Sequence, residues 1–143
     1  IKAFMVYEKF KVPVIADDSG LSVEQLNGRP GVYSARYAGE NCTYDDNNNL
    51  LLKELEILPL PHKASFFCCS VYYDGVNYIS AMGELKGEII KEKTGVNGFG
   101  YDPVFKPEGF NKTLAELPLE EKNKISHRGK SFRELKLKIE KLY

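Results

Sequence analysis

The stretch Ala16-Asp17-Asp18-Ser19-Gly20-Leu21 follows a short apolar run that begins at Val12, and it sets two adjacent carboxylates at the end of that run. Its pattern predicts a buried strand over residues 11–16, with Pro13 tolerated near its beginning, and a turn over residues 17–20. A strand ending in a charged lip is the arrangement by which α/β sheets present polar groups to a ligand. The rigid strand fixes the carboxylate and the loop beyond it leaves room.

Working outward, the residues before this stretch follow helical spacing, with Ile1, Phe4 and Met5 on one stripe and Val6 and Phe10 on its neighbour. No capping residue precedes them, so a further N-terminal segment is expected ahead of Ile1. Downstream, Leu21, Val23 and Leu26 suggest a second short extended piece before a turn at Asn27-Gly28. Residues 33–39 mix small, aromatic and basic side chains without a period and read as loop. Thr43 and Asp46 have capping-box spacing ahead of a helix carrying Leu50, Leu51, Leu55 and Leu58, which Pro59 and Pro61 stop.

Residues 64–73 and 76–82 are rich in β-formers and flank Asp74-Gly75, a hairpin signal, and residues 83–90 read as another strand. Three glycines among residues 94–100 mark a loop whose backbone can come close to a ligand, and a strand is expected over residues 101–105. Pro118 begins a short helix, and Ser131 with Glu134 suggests the start of a last one, with Phe132, Leu135, Ile139 and Leu142 on its apolar face.

The 143 residues suit one domain, 1–143. Twenty basic residues balance twenty acidic ones, so no general field draws nucleic acid or an anionic membrane surface, and an anionic ligand must be met by a local cluster. The sequence shows neither a signal peptide nor an apolar run long enough to cross a bilayer, and it reads as cytoplasmic. Cys42, Cys68 and Cys69 read as inert thiols.

Three polar groupings carry chemistry. Adjacent carboxylates at a strand end suit a hard cation such as Mg²⁺, which takes one or two of them and fills its octahedron with water and phosphate oxygens. An ordinary Asp, pKa ~3.9, is a poor base at neutral pH, whereas a metal-bound water is easier to deprotonate. The second grouping is Gly98-Phe99-Gly100-Tyr101-Asp102, where Phe99 and Tyr101 offer aromatic surfaces to a purine, one of them expected to belong to the core, and Asp102 offers an acceptor for a ring N–H. The third is Lys122, Ser126, His127 and Arg128, two permanent cations and a titratable ring beside a helix end, with the Ser126 hydroxyl on the helical face of Lys122. An Arg at the purine 6-position accommodates a 6-oxo group but meets a donor clash with the 6-amino group of adenine.

In this order the residues resemble the inosine triphosphate pyrophosphatase family of non-standard purine nucleotide hydrolases. The matching stretches are PVIADDSGLSVEQLNGRPGVYSARYAGE, GFGYDPVF and AELPLEEKNKISHRGKSF. The resemblance implies an elongated α/β fold with a long mixed sheet flanked by helices, a homodimer, and Mg²⁺-dependent hydrolysis of ITP, dITP or XTP to the monophosphate and pyrophosphate. By position it implies that Asp18 is the general base and a metal ligand and that Ser19 touches substrate. Phe99, Gly100, Tyr101 and Asp102 would form the base-binding strip, and Lys122, His127 and Arg128 the nucleotide clamp. Lys2 would contact phosphate, and the role of Asp17 stays open. Family members also begin with a strand, a Thr/Ser-x-Asn-x-x-Lys phosphate loop and a further metal-binding acid, none of which lies within these residues. Two alternatives stand beside this reading: a Maf-type nucleotide pyrophosphatase, and a purine nucleotide-binding fragment that does not cleave.

Overall fold

A computed structural model describes residues 1–143. Its frame is a five-stranded sheet in the order β2-β1-β3-β4-β5, built from β1 (Val14–Val23), β2 (Pro30–Gly31), β3 (His62–Tyr73), β4 (Tyr78–Ile89) and β5 (Phe105–Pro107). Four helices accompany it: α1 (Lys2–Phe10), α2 (Tyr44–Leu55), α3 (Leu119–Ile125) and α4 (His127–Glu140). The α/β class stands. All four strand pairings are antiparallel, so within these residues the mixed sheet implied by the resemblance is an antiparallel one.

The largest departure from the sequence reading concerns the central stretch. Residues 17–20 do not turn: β1 runs straight through them, pairing Asp17 with Ser70, Asp18 with Cys69 and Gly20 with Phe67. A side chain at position 20 would obstruct this course, since a Cβ there would lie 2.7 Å from the carbonyl oxygen of Gly31 in the neighbouring strand. The glycine that reads locally as a turn former thus serves the close approach of two backbones. Leu21 and Val23 continue the same strand, and Leu26 falls in a short 3-10 turn. Residues 83–90 likewise prolong β4 rather than making a new strand. The expected strand over residues 101–105 is a 3-10 turn, Asp102–Val104, leading into β5.

Because successive strand residues face opposite ways, one face of the sheet carries Leu21, Val23, Ala64, Phe66, Leu85, Ile89 and Phe105. These form the main core with Leu51 and Leu55 of α2 and with Tyr101, Val104, Leu114 and Leu117. The capping box of α2 is formed as expected: Thr43 Oγ1 accepts from Asp46 N, and Asp46 accepts from Thr43 N. Farther along the same face lies α4, its Leu135 against Tyr72 and Ala81. The opposite face is covered at that end by α1, whose Phe4 and Tyr7 rings sit 5.9 and 5.1 Å from the ring of Tyr73.

Helix α4 begins five residues earlier than the Ser131–Glu134 spacing suggested. Its N-cap is Ser126, whose Oγ accepts from Gly129 N, so the expected capping box is absent. Ser131 instead lies buried within the helix, bonded to Ser70 Oγ at 2.6 Å and donating to the carbonyl oxygen of Ala81. What brings this helix start down onto the sheet is Gly83, where a Cβ would lie 2.0 Å from the carbonyl oxygen of His127. Substituting Gly83→Ala should therefore destabilise the fold by ~2 kcal/mol through overpacking, a drop of several degrees in Tm. Calorimetry against the parent chain checks this, and an unchanged Tm would mean that the contact is slack.

Candidate functional site

Asp17, the loop that carries Phe99 and the Lys122–Arg128 segment meet around the first turn of α4. Arg128 Nε donates to Asp17 Oδ2 at 2.9 Å, tying the helix to β1. The guanidinium carbon of Arg128 lies 5.6 Å from the centre of the Phe99 ring, and Lys122 Nζ lies 4.4 Å from the same centre. An aromatic face backed by two cations results, and Phe99 is 52% exposed, so its ring is available to a visitor.

The loop that carries Phe99 is held from beneath. Lys122 Nζ pairs with Asp102 Oδ2 at 2.5 Å, both side chains being at least nine-tenths buried, and the same oxygen accepts from Phe99 N at 3.0 Å. Gly98 is required here: it has φ +73°, and a Cβ on it would fall 2.1 Å from Asp102 Oδ2. Asp102, expected as an acceptor for a ring N–H, thus spends one oxygen on holding Lys122 and the loop. Tyr101 belongs to the core, its hydroxyl donating to the carbonyl oxygen of Ser34 at 2.7 Å, which leaves Phe99 as the open aromatic surface. Gly100 enters the site as backbone, its carbonyl accepting from Asn48 Nδ2 at 3.0 Å.

Ser126 does not join the cations as a free hydroxyl, because its Oγ caps α4 and the residue is buried. His127 lies partly under the site, its ring stacked on Phe66 at 4.7 Å and 12°. Burial, and then the positive charges of Arg128 and Lys122, pull its pKa down to about 4, so the ring is neutral at physiological pH. Its Nδ1 is buried without a hydrogen-bond partner, as is Ser19 Oγ on β1.

The other half of the site lies across the strand. Asp18 points to the opposite face from Asp17, and its Oδ1 is 3.2 Å from Lys2 Nζ of α1, which also donates to the carbonyl oxygen of Asp17 at 3.3 Å. The Asp18 carboxylate is 73% exposed, an open hard-oxygen donor of the kind Mg²⁺ takes while retaining water and phosphate oxygens. No group of three or more His, Cys, Asp and Glu side chains gathers here as an all-protein cage.

Residues that the sequence reading passed over hold these parts in place. The three asparagines of α2 each reach a different segment. Asn47 Nδ2 donates to the carbonyl oxygens of Ser34 and Ala35, and Asn47 Oδ1 accepts from Ala38 N. Asn48 holds Gly100, and Asn49 Oδ1 accepts from Lys93 Nζ at 3.0 Å just before the glycine-rich loop. A run of Asn within a helix was the available signal, since Asn is a poor helix former and its retention there calls for side-chain work. Cys68 lies behind Asp17, its Sγ 3.7 Å from Asp17 Oδ2, and burial pushes its thiol pKa up, in keeping with an inert thiol.

The fold and these side chains define an α/β protein with an open aromatic face, two cations over it, and an exposed carboxylate beside a lysine. Comparison with known proteins gives the family. The profile of the Ham1 family matches residues 1–138, and the chain belongs to that family. It is 53% identical over 138 residues to the dITP/XTP pyrophosphatase of Caldanaerobacter subterraneus subsp. tengcongensis, an alignment covering 95% of this chain and 69% of the relative. It is also 53% identical over 135 residues to the dITP/XTP pyrophosphatase of Flavobacterium johnsoniae, covering 94% and 70%. The solved structure of the Staphylococcus aureus Ham1 protein superimposes with a TM-score of 0.93 at 40% identity, over 99% of this chain and 74% of that one. No helix is long and apolar enough to cross a membrane.

The neutral His127 has a consequence for stability. Its folded pKa lies below the ordinary ~6.5, so between those values the unfolded chain binds the extra proton and folding loses free energy as pH falls. The loss should begin near pH 6.5, be complete by about pH 4 and reach ~3 kcal/mol. Denaturant unfolding at pH 7, 5.5 and 4 should show that much less acid sensitivity in His127→Gln than in the parent. Equal slopes would relieve His127 of this part.

Proposed function

We propose that the chain hydrolyses non-standard purine nucleoside triphosphates, ITP, dITP or XTP, to the monophosphate and pyrophosphate. The observation that carries the reading is the Phe99 face with Lys122 and Arg128 over it, joined to Asp18 and Lys2 through β1. The identity above 50% to proteins named dITP/XTP pyrophosphatase supports it over nearly the whole chain.

On this reading the purine stacks on Phe99, and the guanidinium of Arg128 donates to its 6-oxo group. Adenine places an amino donor there and leaves donors facing donors, which is how the site discriminates against ATP. The neutral His127 supports the two cations without adding repulsion to them, and Ser19 lies on the α4 face of β1, its hydroxyl and His127 Nδ1 both buried beneath the site. Gly100, Tyr101 and Asp102 act by shaping the strip that carries Phe99.

A water attacks the α-phosphorus, the bond to the bridging oxygen breaks and pyrophosphate leaves, while Asp18 takes the proton of the water. Lys2 meets the phosphate charge from beside Asp18. Asp18 is the residue of this chain that would ligate Mg²⁺, which when bound supplies charge neutralisation and a more acidic water. The rest is positioning and electrostatic stabilisation, as phosphoryl chemistry demands. The reading extends to a cytoplasmic homodimer, for which the exposed apolar side chains Phe4, Met5 and Phe10 on α1 and Phe67 and Met82 on the open sheet face offer surface.

Two substitutions test this. Asp18→Asn should lower kcat for ITP by at least ~100-fold with Tm unchanged, in line with the worth of general acid–base groups. Retained turnover would remove Asp18 from the role. Arg128→Ala should narrow the kcat/KM preference for ITP over ATP by ~100-fold or less, because the loss is of hydrogen bonds from a charged donor. An unchanged ratio would move the selectivity elsewhere.

A further inference from the structure

Asp17 lies one residue from the proposed base, yet it is turned away from it. Its carboxylate is on the α4 face of β1, engaged at Oδ2 by Arg128 Nε, while Asp18 faces α1. A guanidinium carries five N–H donors in a rigid planar fork. The bond at Nε leaves the terminal amino groups of Arg128 without a partner in the fold, beside the Phe99 ring. Arg128 is 44% exposed at its side chain, and the bond to Asp17 is the hydrogen bond that holds its guanidinium within the fold. Asp17 is fixed in turn by the rigid strand and by the Cys68 thiol, which donates to the same oxygen from the buried side.

We propose that Asp17 is a positioning residue for base selection: it anchors Arg128 through Nε so that the terminal amino groups are presented, already oriented, to the 6-oxo group of a purine. This rests on the functional reading above and assigns Asp17 a part separate from that of Asp18. A guanidinium held in one plane presents donors at fixed points, and an amino group there is rejected. A free one swings aside, and the discrimination between the two bases weakens. The ion pair is partly exposed and contributes little to folding, so its effect belongs in selectivity rather than in stability.

The experiment compares the full chain with Asp17→Asn, Arg128→Ala and the double variant. It reads kcat and KM for ITP and ATP with Mg²⁺, the calorimetric affinities for IMP and AMP, and Tm. The expected result for Asp17→Asn is a rise in KM for ITP and a fall of about tenfold in the ITP-over-ATP preference, the worth of one well-placed hydrogen bond. IMP over AMP binding should weaken in parallel, with kcat for ITP within about twofold and Tm unchanged. In the Arg128→Ala background the same substitution should leave the preference where it was, since the residue it positions is gone. An unchanged preference, or one that falls as far without Arg128 as with it, would overturn the proposal. So would a collapse of kcat with the preference intact, which would make Asp17 a partner of Asp18 in the chemistry. A parent chain that neither cleaves ITP nor binds IMP would overturn the functional reading, and this proposal with it. That outcome is distinguished by appearing before any substitution is made.

Discussion

A β-strand cannot turn two consecutive side chains to the same face, and most of this site follows from that constraint acting at Asp17 and Asp18. Because β1 runs unbroken through both, one carboxylate reaches α4 and the other reaches α1. The helices lie on opposite faces of the sheet, and β1 carries one carboxylate to each half of the site. An irregular loop in its place would leave the two carboxylates free to share one ligand and the halves free to drift. The long hairpin of β3 and β4 pairs with β1 through both carboxylates, while β2 joins its other edge at Leu21 and Ser22.

The packing that supports this arrangement relies on small residues at contacts where backbone meets backbone. Gly20 lets β2 approach β1, and Gly83 lets the first turn of α4 rest on β4, which sets His127 and Arg128 at the sheet surface. From there the clamp assembles through buried charge. Lys122 and Asp102 neutralise each other out of contact with water, and the pair fixes the loop that carries Phe99. A buried pair of this kind contributes little net stability, yet losing either partner strands a charge, so it defines geometry more than it strengthens the fold. The exposed ammonium of Lys2 and carboxylate of Asp18 are the opposite case, a loosely held pair that an incoming phosphate can rearrange.

Much of this was legible in the sequence because it is local. The α1 spacing, the Thr43–Asp46 capping box and the Asp74-Gly75 hairpin all formed as their short-range chemistry dictates. The candidate residues Phe99, Lys122, Arg128 and Asp18 were visible from residue type and order, and belonging to the Ham1 family agrees with the resemblance. What escaped was set by tertiary contact. Ser19-Gly20 has turn chemistry, and only the nearness of Gly31 makes strand the better course. Ser131 has cap spacing, but Ser126 captures the helix start and leaves Ser131 to satisfy Ser70 and Ala81 in the interior. The bond from Arg128 to Asp17 spans 111 residues of chain, and no periodicity records such a pairing.

The most direct test of the account is a crystal structure with Mg²⁺ and a non-hydrolysable inosine triphosphate analogue. The account predicts hypoxanthine stacked on Phe99, its 6-oxo group within hydrogen-bond reach of the terminal amino groups of Arg128, and Arg128 Nε still on Asp17. The α-phosphate should lie toward Asp18 and Lys2. A base bound away from Phe99, or a metal ion held by Asp17 with Arg128 released, would contradict the division of the two carboxylates between recognition and chemistry.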